Sequence, residues 1–360
     1  MTLPTPRLEI FQDRIRENAI SVIRLCHEAG VRVACVSKVT SAHHAVPMAF
    51  EFAGADMIAD SRVANLRALK EMGFKGPFLL LRLPAPSEAF EVVRHADFSL
   101  NSSLVTLRCL SEAAGILRMI HRVIIMVDIG DLREGVWPDK AVDLVKAAKN
   151  LDSIEICGLG CNSACFGGVI PTEENMNLLV RTRNECVRET GLELPILSGG
   201  NSAVLPLLKS GKLPREINHL RIGEAIVLGR NVIDRTPFPG TRQDTFIAVG
   251  EVIECEKKPS VPIGPRGQNA FGDKTDFVDR GIRNRAICNL GRQEITPGGI
   301  SPVDPRILVL GGSSDHLILD VEDSEERITV GSEIKFYPGY GALLALSASD
   351  HTHKIVLKGD

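Results

Sequence analysis

Apolar runs alternate with amphipathic stretches through about the first two thirds of the chain, a pattern that indicates alternating strands and helices. Eight short runs have the Val, Ile and Leu content of strands that are buried on both faces. They cover residues 31–38, 55–60, 77–83, 97–101, 122–129, 154–160, 194–198 and 219–222. Before and between them, apolar residues recur at helical spacing over Phe11–Ala29, Arg62–Met72, Pro86–Arg94, Ser103–Ala114, Asp139–Lys149, Thr172–Thr190 and Ala203–Ser210. This repetition favours a closed (β/α)8 barrel over an open parallel sheet.

The pattern changes after Arg230. Short strand-like runs follow a linker at Thr236–Gly240, separated by Gly, Pro and acidic turns and without a convincing helix. The runs are Thr245–Cys255, Arg285–Leu290, Ile307–Val309, His316–Val321, Glu333–Phe336 and Ala342–Ala348. Residues 257–284 are rich in Lys, Arg, Pro, Gly and Asp and predict a long exposed excursion. The sequence therefore predicts a compact all-β domain after the barrel.

The first residues of the chain are expected to belong to the same β domain. Arg7–Ile10 alternate as a short strand that precedes the first barrel helix. We expect residues 9–235 to form the barrel and residues 1–8 plus 236–360 to form the β domain. Two domains also suit a chain of 360 residues, 44% of them apolar, because single cores stop growing near ~250–300 residues.

Composition narrows the class of function. The net charge is −3 and the pI is near 6.3, without a basic run that contains aromatic residues, so nucleic acid is not an expected partner. The N-terminus has no apolar signal region, and no run reaches ~18 apolar residues, so neither secretion nor membrane insertion is expected. Nine scattered cysteines without a CxxC pair predict reduced thiols in the cytoplasm. Small-molecule chemistry is the remaining expectation.

Lys38 ends the first predicted barrel strand, after the apolar run Val33–Val36. A lysine in apolar surroundings loses its charge more readily, and its neutral amine can attack an aldehyde to form a Schiff base. The alternative is a lysine whose stem covers the strand end while its ammonium group reaches water. The residues around the other strand ends bear on this choice.

Polar residues collect where the other predicted strands end. Arg133 follows the fifth strand, Asn162 follows the sixth, Ser198–Ala203 leave the seventh, and Arg221–Ala225 end the eighth. Barrel enzymes build their active sites at the carboxyl ends of the strands and bind phosphate with the loops after strands seven and eight. We therefore expect these residues to open onto one face together with Lys38.

The glycine-containing turns after strands seven and eight are suited to an anion. Ser198–Ser202 combine hydroxyl and amide donors at the start of a helix, a common setting for phosphate. Taken alone, Asn201 or Ser202 is equally consistent with an ordinary helix cap. A phosphorylated aldehyde is the ligand that a lysine and a phosphate site would bind jointly. Pyridoxal 5'-phosphate (PLP) is such a compound.

These residues together resemble a known family. The strand and helix at the N-terminus, the strand-ending Lys38, Arg133-x-Gly135, Asn201-Ser202-Ala203 and Arg221-x-Gly223 look like the fold type III PLP enzymes of the alanine racemase group. The resemblance extends along the whole chain. Two further segments, Gly167–Thr172 and Ser313–Leu317, are most similar to the stand-alone racemases of ornithine and other basic amino acids.

The resemblance implies a role for each residue. Lys38 would carry the cofactor as an aldimine and act as one base on the substrate's α-carbon. Four residues would hold the phosphate, largely through backbone N–H groups: Asn201, Ser202, Ile222 and Gly223. Arg221 would face the pyridine nitrogen, Arg133 would lie near the phenolic oxygen, and Asn162 would also contact the cofactor. Tyr340 is placed like the family tyrosine that reaches the phosphate, although a half-buried strand aromatic is an equal alternative.

Racemisation needs a second proton-transferring group, which in the family is a tyrosine of the partner subunit. Here Arg292 stands in the tyrosine's place, and arginine stays charged and is a poor base. The chain has only two tyrosines, both near position 340. Asp315 and His316, in a segment similar to the loop that the partner contributes, are candidates, and Cys288 is a third. Turn capping is the alternative reading of Asp315 and His316.

The predicted function is a homodimeric, PLP-dependent racemase of ornithine or another basic amino acid, with the active site completed by the partner's β domain. A PLP carrier without turnover is one alternative. A metal-assisted aldolase or dehydratase of D-hydroxy amino acids is another, for which His351 and His353 have the strand spacing of two ligands. That segment is predicted to be a solvated turn, because it contains Ser349, Asp350 and Thr352, and no metal site is assigned.

Overall fold

The computed structural model describes residues 3–272, 274 and 276–357. It divides into two compact units. One unit runs from Gln12 to Gln243, and the other combines the residues up to Phe11 with those from Asp244 onward. The predicted boundaries, after residues 8 and 235, lie slightly nearer the N-terminus.

The larger unit is a closed barrel of eight parallel strands. Strands are numbered along the chain: β1 (Arg7–Phe11) belongs to the smaller unit. The barrel strands are β2 (Arg32–Val36), β3 (Met57–Asp60), β4 (Phe78–Leu80), β5 (Phe98–Asn101), β6 (His121–Met126), β7 (Ile154–Gly160), β8 (Ile196–Ser198) and β9 (His219–Ile222). Each strand pairs with the next, and β9 pairs with β2. The predicted barrel is confirmed.

Helices connect the barrel strands. They are α1 (Gln12–Glu28), α2 (Ala45–Phe52), α3 (Val63–Glu71), α4 (Ala89–His95), α5 (Leu104–Leu117), α6 (Ala141–Ala148), α7 (Glu173–Thr190), α8 (Leu205–Lys209) and α9 (Glu224–Val227). Helix α7 illustrates how the sequence sets their limits. The Thr172 hydroxyl accepts from the Asn175 amide at its start, and Gly191, at φ 70°, ends it in the left-handed conformation.

Every second residue of several strands fills the barrel interior. Ala34 and Val36, Ile124 and Met126, and their counterparts on the other strands form one buried cluster. This period of two is the expected alternation of a strand, and the residues between them face the helices. Because side chains fill the interior of the barrel, a site for chemistry is expected at the ends of the strands.

The smaller unit contains one eight-stranded sheet. Its strands are β1, β10 (Phe246–Pro259), β11 (Ile282–Cys288), β12 (Ile300–Pro302), β13 (Leu308–Gly312), β14 (Leu317–Asp320), β15 (Glu333–Pro338) and β16 (His353–Leu357). The main path runs β12-β15-β10-β11-β14-β13, and β1 pairs antiparallel with β10 and parallel with β16. The predicted all-β domain is confirmed in architecture.

One predicted strand is wrong. Residues Ala342–Ala348 form most of helix α10, which spans Tyr340–Ala348. Ala and Leu are strong helix formers, and the buried residues Ala342, Leu343 and Leu346 follow helical spacing. Tyr340 therefore begins a helix and is not a strand aromatic.

The predicted excursion is a hairpin with a long tip. β10 and β11 remain paired as far as Pro259 and Ile282, and the described residues from 262 to 281 are exposed. Phe271 lies in this tip, and the centroid of its ring is 4.1 Å from the guanidinium carbon of Arg292. Within the described residues, no helix combines the length and apolar character needed to cross a bilayer.

Candidate active site

Lys38 lies at the carboxyl end of β2, where it begins a short 3-10 turn over Lys38–Thr40. Its neighbour Ser37 anchors the strand end, since the hydroxyl donates to Asp60 Oδ2 at 2.8 Å. Burial lowers the pKa of the Lys38 amine, and the nearby charge of Arg133 lowers it further. The amine is therefore more readily neutral than an exposed lysine, as nucleophilic attack on an aldehyde requires.

Arg221 crosses the barrel end from β9 and is 4% exposed. Its Nη1 donates to Ser198 Oγ at 2.5 Å, and its Nη2 donates to the Cys161 carbonyl at 2.7 Å. These acceptors are neutral, and no carboxylate pairs with this guanidinium within the described residues. Burial lowers the pKa of Arg221, but an arginine keeps its proton. A buried cation with neutral partners favours a ligand group that carries electron density.

His219 shares the Ser198 hydroxyl with Arg221. Its Nδ1 lies 2.8 Å from Ser198 Oγ, and burial lowers its pKa to about 3, so the ring is neutral. Because Arg221 uses the hydroxyl oxygen as an acceptor, the hydroxyl proton can be donated to His219 Nδ1. This chain of contacts fixes the Arg221 guanidinium. Sequence reasoning missed His219, although it precedes Arg221 by two positions and therefore shares its side of the strand.

Asn162 and Ser163 follow β7 and carry polar atoms without partners. Asn162 Oδ1 accepts from Asn201 Nδ2 at 3.2 Å and from Arg221 Nη2 at 3.4 Å. Asn162 Nδ2 and Ser163 Oγ are buried and have no hydrogen-bond partner among the described residues. Since buried polar groups are normally paired, these atoms suggest that a polar ligand belongs here.

Ser202 joins the turns after β8 and β9. Its hydroxyl accepts from the amides of Gly223 at 3.2 Å and Ala225 at 3.3 Å, while Asn201 caps the preceding turn by accepting from the Ala203 amide. The Ser202 hydroxyl proton has no acceptor in the described part of the chain and can be donated to an anion. At Gly223 a Cβ would lie 3.1 Å from the Val36 Cβ, so glycine keeps this turn close to β2. Ile222, beside it, is buried.

Arg133 lies on the loop that follows β6. The loop begins at Asp128, whose Oδ1 accepts from the amides of Gly130 and Leu132, and it ends at Gly135. A Cβ on Gly135 would lie 2.4 Å from the Asp128 nitrogen, and its φ is +130°, so only glycine fits. The guanidinium of Arg133 pairs with Glu134 and also donates to Cys165 Sγ.

Asp131 fastens the loop after β7 to the loop after β6. It is 1% exposed, and its carboxylate accepts from the amides of Cys165, Phe166 and Val169 at 3.1 to 3.4 Å. The Gly167 amide also donates to the Asp131 carbonyl at 3.0 Å. Sequence reasoning missed this role, because nothing in the spacing links an aspartate to a loop more than thirty residues away.

The remaining predicted site residues belong to the β unit. Asp315 and His316 are exposed and adjoin the Arg292 segment, since the Arg292 amide donates to the Ser313 carbonyl and Gln293 Nε2 donates to Asp315 Oδ1 at 2.6 Å. Tyr340 is half-buried at the start of α10. Cys288 is 0% exposed, and burial raises its pKa to about 12. A thiol sealed in the sheet cannot exchange a proton with a substrate, so the expectation of a catalytic Cys288 is corrected.

The barrel with its terminal lysine and polar rim belongs to the alanine racemase family, whose N-terminal domain model matches residues 10–231. A relative named ornithine racemase, from Acetoanaerobium sticklandii, is 42% identical over 98% of this chain and 99% of its own. Another, named lysine racemase, from Thermotoga maritima, is 41% identical over 97% and 98%. The crystal structure of alanine racemase from Streptomyces lavendulae matches with a TM-score of 0.75 at 17% identity and covers 100% of this chain and 99% of that one. The predicted family is confirmed.

The residues at the barrel end fit PLP, the cofactor that the family implies. A desolvated amine at Lys38 suits the aldehyde, and the unpaired donors at Asn162 and Ser163 suit polar groups of the ring. The amides of Gly223 and Ala225 orient the Ser202 hydroxyl, whose proton suits a phosphate oxygen.

Proposed function

We propose that this protein is a PLP-dependent amino-acid racemase that acts on ornithine or lysine. The observation that carries the proposal is the desolvated amine of Lys38 at the same barrel end as Arg221, a buried cation that has no carboxylate partner among the described residues. The names of the two relatives at 42% and 41% identity support the reaction and the substrate class.

When bound, PLP serves as an electron sink that weakens the bond between the α-carbon and its hydrogen. Lys38 holds the cofactor and moves a proton at the substrate's α-carbon. Arg221 would face the ring nitrogen and, because it cannot give up a proton, would leave that nitrogen unprotonated.

The other barrel residues orient the cofactor. The Ser202 hydroxyl, with Asn201, Ile222 and Gly223, holds the phosphate. Arg133, fixed by Glu134, would lie near the phenolic oxygen, and Asn162 would contact the ring through the amide nitrogen that has no partner among the described residues.

Two half-buried carboxylates support a basic substrate. Glu134 and Glu224 have side chains that are 13% and 11% exposed, and each is held by a more exposed arginine, Arg133 or Arg235. A substrate's side-chain ammonium can replace the exposed Arg235 at Glu224 or join Arg133 at Glu134. Asp131, in contrast, is fully occupied by loop amides.

The protein is proposed to act as a homodimer in which Asp315 and His316 of one chain face the barrel site of the other. Their exposure beside the Arg292 segment supports this arrangement. All nine cysteines are free, which supports a reducing, cytoplasmic setting.

The experiment compares wild type, Lys38→Ala and Lys212→Ala, an exposed lysine that serves as the matched control. After incubation with PLP, wild type and Lys212→Ala should show the near-visible absorbance of a lysine-bound cofactor and should racemise L-ornithine or L-lysine faster than L-alanine. Lys38→Ala should lose the band and the activity. A band that survives in Lys38→Ala would contradict the role of Lys38. A bound cofactor without racemisation of any amino acid would favour a carrier.

A further inference from the structure

One ionisable group at the barrel end has no part in the function proposed above. Cys165 lies on the loop after β7, and it is the one exposed cysteine of the nine, since six are buried and Cys109 and Cys255 are half-buried. Its amide donates to Asp131 Oδ1 at 3.4 Å, and its thiol accepts from Arg133 Nη1. The thiol is therefore held beside a guanidinium by a buried carboxylate.

Three observations locate Cys165 within the lysine site. The charges of Arg133 and Cys165 both act on the pKa of Lys38, in opposite directions. Asn162, three residues before Cys165, contacts Arg221 through its side-chain oxygen. The other atom of that amide, Nδ2, is buried and unpaired among the described residues, as is Ser163 Oγ. A ligand that satisfies these donors would lie next to the loop that carries the thiol.

The chain also lacks the usual proton donors. Its two tyrosines are Tyr337 and Tyr340, which are half-buried and lie together where β15 meets α10. Arg292 stays charged, and Cys288 is buried. Cys165, in contrast, is an exposed thiol beside the Arg133 guanidinium, and a thiol can both give and take a proton.

We propose that Cys165 is the second proton-transferring residue of the racemase and works together with Lys38. This inference rests on the proposed function. In one direction the Cys165 thiolate takes the α-proton while the protonated Lys38 amine gives its proton to the α-carbon. In the other direction the roles reverse. Each turnover moves one proton between the two groups, and exchange with water restores them.

The first test follows α-deuterium uptake from D2O into D- and L-ornithine, alongside racemisation, in Cys165→Ser. We expect racemisation to fall by at least about a hundredfold in both directions, the usual contribution of a general acid or base. Uptake should persist for the enantiomer whose proton Lys38 takes and should be lost for the other. The PLP absorbance should not change. Cys109→Ser, which replaces a half-buried thiol, is the control and should behave as wild type.

Other results would overturn the inference. Equal loss of uptake from both enantiomers would indicate a structural role for Cys165, and wild-type racemisation in Cys165→Ser would indicate none. If His316→Gln, and not Cys165→Ser, kept deuterium uptake for one enantiomer and lost it for the other, the second proton-transferring residue would be His316 of the β unit. If wild type exchanges no α-proton at all while binding PLP, the racemase function itself fails.

A second test reads the thiol without turnover. Iodoacetamide should modify Cys165 of the apoprotein before any other cysteine, because Cys165 is the exposed one. Addition of PLP and D-ornithine should protect Cys165. Mass spectrometry measures the modification. Modification that PLP and D-ornithine do not slow would place the thiol outside the site and would contradict the proposal.

Discussion

Ser198 serves two buried side chains at once, and its removal should be costly. In Ser198→Ala, the Arg221 guanidinium loses an acceptor, and the His219 ring loses its only hydrogen-bond partner among the described residues. We expect the free energy of unfolding of the apoprotein to fall by about 1 to 3 kcal/mol, the range for buried polar groups that are left unpaired. Chemical denaturation measures this change.

Ser163→Ala is the matched control, since its hydroxyl is equally buried but has no hydrogen-bond partner within the described residues. It should change the stability of the apoprotein little. Similar losses in the two variants would contradict the role given to Ser198.

Two buried histidines should make stability depend on pH. Burial lowers the pKa of His121 to about 4 and that of His219 to about 3, both below the ordinary value of 6.5. Between pH 6.5 and about 4 the unfolded chain therefore binds more protons than the folded one. Stability is complete above pH 6.5 and falls as the pH decreases through this window.

The variant His121→Gln isolates one of the two contributions. Its free energy of unfolding should fall less steeply between pH 6.5 and 4, with a slope smaller by up to about 1.4 kcal/mol per pH unit. Urea denaturation across a pH series measures the slope. His351→Gln, at an exposed position, should keep the wild-type slope. An unchanged slope in His121→Gln would show that His121 titrates alike in both states.

At the scale of elements, the contact between the loops after β6 and β7 depends on one side chain. Asp131→Ala removes the acceptor of three amides, at Cys165, Phe166 and Val169. We expect hydrogen exchange of peptides that cover residues 161–171 to become faster by at least about tenfold, because tenfold corresponds to about 1.4 kcal/mol of lost local stability. Exchange mass spectrometry measures it.

Asp139→Ala, an exposed aspartate near the start of α6, is the control and should leave these peptides unchanged. Faster exchange across the whole barrel in Asp131→Ala would instead indicate that the aspartate supports the fold and not the loop.

The elements themselves were largely predictable, and the reason is periodicity. Strands such as β2 and β6 are apolar on both faces, and the helices between them carry apolar residues at a different spacing, so the two types can be distinguished. Helix α10 was misread because a short run of Ala and Leu fits either type, and only its packing decides.

The site was predictable only where strand ends determine it. Lys38, Arg133 and Arg221 could be expected at one end of the barrel because parallel strands end together. The contact of Cys165 with Arg133 depends on how a loop folds back, which no spacing encodes.

At the scale of the whole molecule, the proposed homodimer can be tested by mixing two variant chains. Lys38→Ala removes the barrel lysine, and the double variant Asp315→Ala, His316→Ala removes the exposed pair of the β unit. If each site combines one barrel with the partner's β unit, a refolded mixture of the two should recover roughly a quarter of wild-type activity. Half of the dimers would contain one chain of each variant, and one of the two sites in each such dimer would be intact.

Activity assays and light scattering after separate and joint refolding provide the measurement, with each variant refolded alone as the control. A monomer in solution would contradict the homodimer. A fully active double variant would contradict a role for the exposed pair, and a mixture without recovered activity would contradict sites shared between chains.

The position of β1 in the sheet has a consequence for synthesis of the protein. Strand β1 lies between β10 and β16 in the sheet, but it precedes the barrel along the chain, whereas β10 and β16 both follow the barrel. The barrel, Gln12–Gln243, is complete well before β16 leaves the ribosome. The edge of β1 that pairs with β16 must therefore remain unpaired until β16 is made, and truncation of β16 should expose that edge to aggregation.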